Sequence, residues 1–202
     1  MSAPYAGYSF NVLKSFGWSD DQAAAIVGNF EGESGLNPAA VGDGGQAYGI
    51  AQWHADRQAI FQQRYGRSIR GSSLAQQLNF ANYELRYGNE TAAGKRLMAT
   101  GNVNDATYAV MRGYERPAND SSYSKRLAAA QSVLGKASSV AGSLVNGAVS
   151  SLGGGESGIS GIFDSFKTWL AESHFWQRVG IAIMALIIIG GAIYMLGNKS
   201  NN

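Results

Sequence analysis

One stretch limits what this chain can fold into more than any other: Val179 to Leu196 carries no charged residue. A helix needs about 20 apolar residues to cross a hydrocarbon core of roughly 30 Å. The run reaches that length when Gly197 and the residues before Val179 share the interface, so a single transmembrane helix is predicted over 179–197. Arg178 and Lys199 bracket it, and both side chains can snorkel to lipid headgroups. Trp169, Trp176 and Tyr194 lie near its ends, where aromatic belts form. A buried core helix is the competing reading, but such helices seldom run so long without a polar residue. Positive charge is sparse on both flanks, so the positive-inside rule barely sets an orientation.

The rest of the 202-residue chain has room for one ordinary domain with appendages. Formal net charge is only +2, so composition does not point to nucleic acid and no nucleic-acid partner is expected. There is no cysteine, which excludes a disulfide framework. Met1 to Phe10 lacks a basic segment followed by an apolar one, so no cleavable signal peptide is expected.

Residues 1–134 read as a mainly helical globular domain with a small loop or β segment. Ser19 or Asp20 is a plausible N-cap for a helix beginning near Asp21, with Ala23, Ile26, Val27 and Phe30 as its buried stripe. Gly32, Gly35 and Asn37-Pro38 should end it. The glycine-rich loop Gly42-Asp-Gly-Gly45 then leads to Tyr48-Gly-Ile-Ala-Gln-Trp53, read as a short strand pair or a tight loop before another helix. Leu74, Leu78, Ala81 and Leu85 mark one later helix; Val103, Ala106, Tyr108, Ala109, Val110 and Met111 suggest another; Tyr123 to Leu134 is the last. Residues 135–161 are rich in Gly, Ser and Ala and read as a linker, with a continued helix equally open before Gly153. In 162–178, Phe163, Phe166, Trp169 and Leu170 share a face, as in an amphipathic helix at a membrane surface. Residues 198–202 are a polar tail.

Chemistry concentrates in Gly28-Asn-Phe-Glu-Gly-Glu-Ser-Gly-Leu-Asn-Pro38. Glu31 and Glu33 stand at the end of an apolar helix, where the dipole is negative and disfavours a carboxylate. That field and partial burial raise a carboxyl pKa, which suits a general acid. Helical geometry does not choose between the two, because they flank the stripe on opposite sides. Solvated helix-end carboxylates are the plainer alternative.

Glu33-Ser-Gly-Leu-Asn-Pro38 followed by Tyr48-Gly-Ile-Ala-Gln-Trp53 resembles the lysozyme-like superfamily of goose-type lysozymes and soluble lytic transglycosylases. The closer resemblance is to the phage tail lysozyme family. It rests on Ala25-Ile-Val-Gly-Asn29, on Gly49-Ile-Ala-Gln-Trp53 with Arg57, on Gln77-Leu-Asn-Phe80 before Tyr83-Glu-Leu85, and on Tyr114-Glu-Arg-Pro117. These motifs cover most of residues 10–134 and leave the linker and span unexplained. The resemblance implies a mainly α, α+β lysozyme-like domain, with Glu33 as catalytic acid and Tyr48 and Gln52 lining a sugar cleft.

Glycoside hydrolysis usually needs a second carboxylate. Asp43 is the first candidate because its loop can face Glu33; Asp56, Glu84 and Glu115 are alternatives. Asp43 serving only an Asx-turn, and Glu115 paired with an arginine, are the ordinary readings. A lytic transglycosylase would need Glu33 alone. Tyr48 and Trp53 are candidates to stack on sugars, although core packing suits Trp53 better, and Arg57 is a candidate to contact substrate. Arg57, Arg64, Arg67 and Arg70 form a loose basic run that can meet an anionic wall or simply be solvated. His54 and His174 do not suggest a metal site, and no cofactor is expected. The combined expectation is a membrane-anchored peptidoglycan glycosidase of a bacteriophage virion, with glycan strands, lipid and other virion proteins as partners. A non-catalytic glycan-binding membrane protein of the particle, and a lysis protein acting through its C-terminal helix, compete with it.

Overall fold

A computed structural model describes the backbone of residues 3–152 and the side-chain surroundings of residues 5–137. Among these residues there are seven α-helices and one two-stranded sheet. Helix α1 is Ala3–Ser15 and α2 is Asp20–Ser34. Strands β1 (Val41–Gly42) and β2 (Ala47–Tyr48) follow, then α3 (Ala55–Tyr65), α4 (Leu74–Arg86), α5 (Thr91–Met98), α6 (Val103–Val110) and α7 (Tyr123–Leu152).

Helix α2 is the axis of the domain. Ser19 is its N-cap and forms a capping box with Gln22, which satisfies two otherwise orphaned N–H groups. Gln22 through Phe30 are all buried, so the predicted stripe is in fact a fully enclosed helix segment. The run Ala23-Ala-Ala25 lets neighbours approach closely, and α1 and α6 pack against it. Helix α7 crosses at Gly28, where an added Cβ would lie 2.5 Å from the Arg126 carbonyl oxygen. The helix ends at Gly35, whose φ of 65° gives the left-handed cap that glycine adopts without steric cost.

The Tyr48 to Trp53 segment resolves into both expected forms. Its start pairs antiparallel with β1, Val41 against Tyr48 and Gly42 against Ala47, and its end bridges back from Trp53 to Tyr48. Two polar anchors fix this loop. Ser34 Oγ donates to the Ile50 carbonyl at 2.9 Å, and buried Gln77 accepts from the Ile50 N–H at 2.9 Å while donating to the Pro38 carbonyl at 2.8 Å. These bonds explain a serine after Glu33 and a glutamine opening Gln77-Leu-Asn-Phe80.

Leu74, Leu78, Ala81 and Leu85 are buried on α4, as their spacing predicts. Ala106, Val110 and Met111 are buried near the end of α6, but Tyr108 is 46% exposed and stacks edge-on with Tyr123. The chain then widens into a π-type turn, Met111–Glu115. Helix α7 continues through the Gly/Ser/Ala-rich stretch as far as Leu152, the second of the two readings open for that stretch before Gly153.

The chain divides into units Met1–Ala141 and Gly142–Asn202, and most of the second lies outside the described residues. Among the described residues no helix is long and apolar enough to cross a membrane. The expected amphipathic stretch 162–178, the span 179–197 and the tail 198–202 lie outside them.

Candidate active site

A cleft of about 480 Å³ opens in the first unit, with Glu33, Asp43, Gln52 and Arg57 on its walls. Four separate pieces of chain build it: the end of α2, the β1–β2 loop with the start of α3, the π-type turn, and the first turn of α7. Ala51, His54, Asp56, Glu115, Arg116, Pro117 and Arg126 complete the lining.

Glu33 sits one residue before the end of α2, and its side chain is 20% exposed. Its Oε1 accepts a bond from Arg126 Nη2 at 2.5 Å. Arg126 itself is fixed, with Nη1 donating to the Asn29 carbonyl at 3.1 Å and Nε donating to Ser122 Oγ at 3.0 Å. One Glu33 oxygen is therefore oriented through a rigid guanidinium. The other makes no hydrogen bond among the described residues. Glu31, the competing carboxylate, is not on the cleft wall; burial pushes its pKa up, with Lys136 and Lys125 opposing. Of the two, only Glu33 is on the cleft wall.

Asp43 reaches the cleft from the loop, 66% exposed, and its Oδ2 pairs with His54 Nε2 at 2.9 Å. Gln52 lines the cleft with its amide nitrogen tied to the Gly49 carbonyl at 2.9 Å. Its Oε1 lies 2.1 Å from where a Cβ on Gly42 would stand, so any larger residue there would push the Gln52 amide out of its place. Asp43, Gln52 and Arg116 have φ of 47°, 46° and 54°, and Leu36 with φ 60° completes the positive-φ non-glycine residues among those described. Three of these four line the cleft, so backbone strain collects at the site, a pattern seen where geometry is held for function.

Neither aromatic candidate for sugar stacking is free: Trp53 takes the core-packing reading that suited it better, and Tyr48 is corrected. Trp53 is fully buried; its ring packs on Phe80 and its Nε1 donates to Glu84 Oε2 at 2.8 Å. Tyr48 is 6% exposed, its hydroxyl accepts from the Gly71 N–H, and Arg70 covers its ring. Neither offers a free aromatic face, because the hairpin turns both rings into the core. Arg57 does border the cleft, but its fork is spent on Glu84, with Nε–Oε1 and Nη2–Oε2 both 2.8 Å.

Glu84, once an alternative second carboxylate, is 1% exposed and also accepts from the Tyr114 hydroxyl at 2.6 Å. It accepts four hydrogen bonds in all, one on Oε1 and three on Oε2, so it braces the site from behind. Asp56 lines the cleft. Glu115 does too, yet its Oε1 is sealed from solvent and has no hydrogen-bond partner, contrary to the expected arginine pair. Burial pushes the Glu115 carboxyl well up, with the charge of Glu33 adding to the effect.

Arg126 and the bracing role of Glu84 escape the sequence motifs. Arg126 stands in an alanine-rich helix 93 residues beyond Glu33, and no local spacing links them. Among the described residues no group of three His, Cys, Asp or Glu side chains is placed to hold a metal ion.

An acid-bearing cleft of this kind, with one carboxyl oxygen anchored and one open, suits proton transfer to a glycosidic oxygen. No curated protein matches the chain. The family model for phage tail lysozymes matches residues 5–136, the stretch that holds every wall of the cleft, so the chain belongs to the phage tail lysozyme family and is a peptidoglycan-degrading, lysozyme-like enzyme.

Proposed function

We propose that this enzyme is a virion-borne muramidase that cleaves the MurNAc–GlcNAc β-1,4 bond and opens the host wall for genome passage. One observation carries the reading: Glu33 has Oε1 held by Arg126 and its other oxygen unbonded, on the wall of a cleft in a phage tail lysozyme domain. In this mechanism the free oxygen of protonated Glu33 passes its proton to the leaving glycosidic oxygen as an oxocarbenium-like sugar forms. Asp43, on its strained loop, is the group that would activate water or steady the cation. The apolar run 179–197 would tether the domain to the virion or host membrane, with other virion proteins as neighbours.

A second reading is supported by the Asp43–His54 pair. A carboxylate 66% exposed and already bound to an imidazole is a weak nucleophile or base. A lytic transglycosylase needs only Glu33, acting as acid and then as base while the substrate's own 6-hydroxyl closes a 1,6-anhydro ring.

Digestion of purified peptidoglycan followed by mass spectrometry tests both. Reducing MurNAc ends identify the muramidase, and anhydro ends identify the transglycosylase. Absence of released muropeptides from the wild type, or equal release by Glu33→Gln, overturns the role given to Glu33.

A further inference from the structure

Three carboxylates meet two guanidiniums in and behind the cleft. Arg57 from α3 is committed to Glu84 of α4 by two bonds of 2.8 Å. Arg126 from α7 is committed to Glu33 of α2 and to Asn29 and Ser122. Glu115 is the third carboxylate, and no cation bonds it. Its chain neighbour Arg116 turns onto Glu90 instead, with bonds of 2.8 and 2.9 Å. The groups that act on Glu115 electrostatically include Glu33, Glu84, Arg57 and Arg126, and the neighbouring Arg116 and Tyr114 also interact with it.

An ionised carboxylate left unpaired in such a place is costly, so the neutral form is favoured. Burial pushes Glu115 well above the usual carboxyl range, Glu33 and Glu84 add to that, and Arg57 and Arg126 oppose it. A neutral carboxyl carries an O–H donor. The described residues give this one no acceptor: Oε1 is sealed and unbonded, and Oε2, which is not among the sealed atoms and makes no bond among the described residues, is the oxygen a ligand can reach. The π-type turn is what brings Glu115 to the cleft: widening the helix by one residue re-aims the side chains that follow α6. An insertion of this kind, ending in an orphaned acid on a cleft wall, fits a group whose partner arrives with the ligand.

We propose that Glu115 holds the substrate, its carboxyl O–H donating a hydrogen bond to a hydroxyl or N-acetyl oxygen of the glycan beside Glu33. The proposal rests on the reading that this cleft binds peptidoglycan glycan. It makes Glu115 a binding group that works without charge, distinct from a second catalytic carboxylate.

The distinction is measurable with Glu115→Gln, which keeps a neutral donor, and Glu115→Ala, which has none. Steady-state kinetics on solubilised glycan strands would be recorded from about pH 5 to about pH 9. In the wild type KM rises with pH as the proton leaves, while kcat changes less. Glu115→Gln keeps KM within about twofold of the low-pH wild type and abolishes the rise, whereas Glu115→Ala raises KM about tenfold at every pH. If Glu115→Gln loses kcat as a catalytic carboxylate would, or if wild-type KM has the same pH profile as Glu115→Gln, the proposal is overturned. Should Glu115→Ala not fold, the comparison of wild type with Glu115→Gln decides alone. Glycan binding to Glu33→Gln, with and without Glu115→Gln, repeats the pH comparison as Kd in the absence of turnover. A Kd of Glu33→Gln that does not change with pH, or one that still changes with pH once Glu115→Gln is added, overturns the Glu115 proposal, while failure of the wild type to release muropeptides overturns the reading of the cleft on which it rests.

Discussion

Two carboxylate–guanidinium pairs stand close together in this domain, and they do different work. In Glu84–Arg57 both carboxylate oxygens are used, Trp53 and Tyr114 add two more donors, and the glutamate is 1% exposed. In Glu33–Arg126 one oxygen is bonded, the other is open, and the glutamate is 20% exposed. The same two side-chain types make a saturated brace in the first case and leave an available carboxyl oxygen, the one proposed to react, in the second. What separates them is saturation. A buried carboxylate that accepts four hydrogen bonds has no open face from which to exchange a proton with a ligand. One that is half anchored is positioned and still available.

The comparison is broken most severely at Glu33. Glu33→Gln should lower muropeptide release by about 100- to 10,000-fold while Tm stays near the wild-type value, because the amide oxygen can still accept from Arg126. Glu84→Ala should do the opposite. It leaves Arg57 buried without its partner, so denaturant unfolding should show a loss of about 3–5 kcal/mol, with activity per folded molecule changed less. A larger effect of Glu84→Ala on kcat than on stability would dissolve the contrast between brace and reactive group.

Arg126→Lys tests the anchor. Lysine keeps the charge but loses the planar fork that holds Asn29, Ser122 and Glu33 together, so kcat should fall by about 10- to 100-fold with little change in KM. Tyr114→Phe removes one of the bonds saturating Glu84 and should cost about 1–2 kcal/mol in urea unfolding, with kcat close to wild type.

The smallest effect concerns the carboxylate outside both pairs. Burial raises Glu115 in the folded chain, so the folded state holds its proton more tightly than the unfolded state does. Its contribution to stability is complete below the ordinary carboxyl range and is lost as pH rises through the raised value. Glu115→Gln should therefore match the wild-type Tm in acid and exceed it increasingly toward neutral and alkaline pH.

Much of the frame was legible in the residues. The capping box at Ser19 and Gln22, the apolar positions of α4 and the stop at Gly35 are local signals, each settled within a few residues by cap geometry or periodicity. Local signals left Glu31 and Glu33 level, and only the resemblance carried by Glu33-Ser-Gly-Leu-Asn-Pro38 singled out Glu33. Tyr48 and Trp53 were harder. An aromatic beside a conspicuous glycine-rich loop looks available to a sugar, and only the fold of the hairpin onto α4 buries it.

By itself the sequence determined the helical domain, the motif that carries Glu33 and the uncharged run from Val179 to Leu196. These depend on residue type and short-range spacing, which a chain carries before it folds. Only the tertiary structure decided which arginine meets which glutamate. Arg126 lies 93 residues from Glu33 and Arg57 lies 27 from Glu84, and nothing in their neighbourhoods specifies the match. Pairing is set by the close crossing of α7 over α2 at Gly28 and by α3 folding back on α4. The carboxyl left without a partner, Glu115, exists only as the remainder of those two choices.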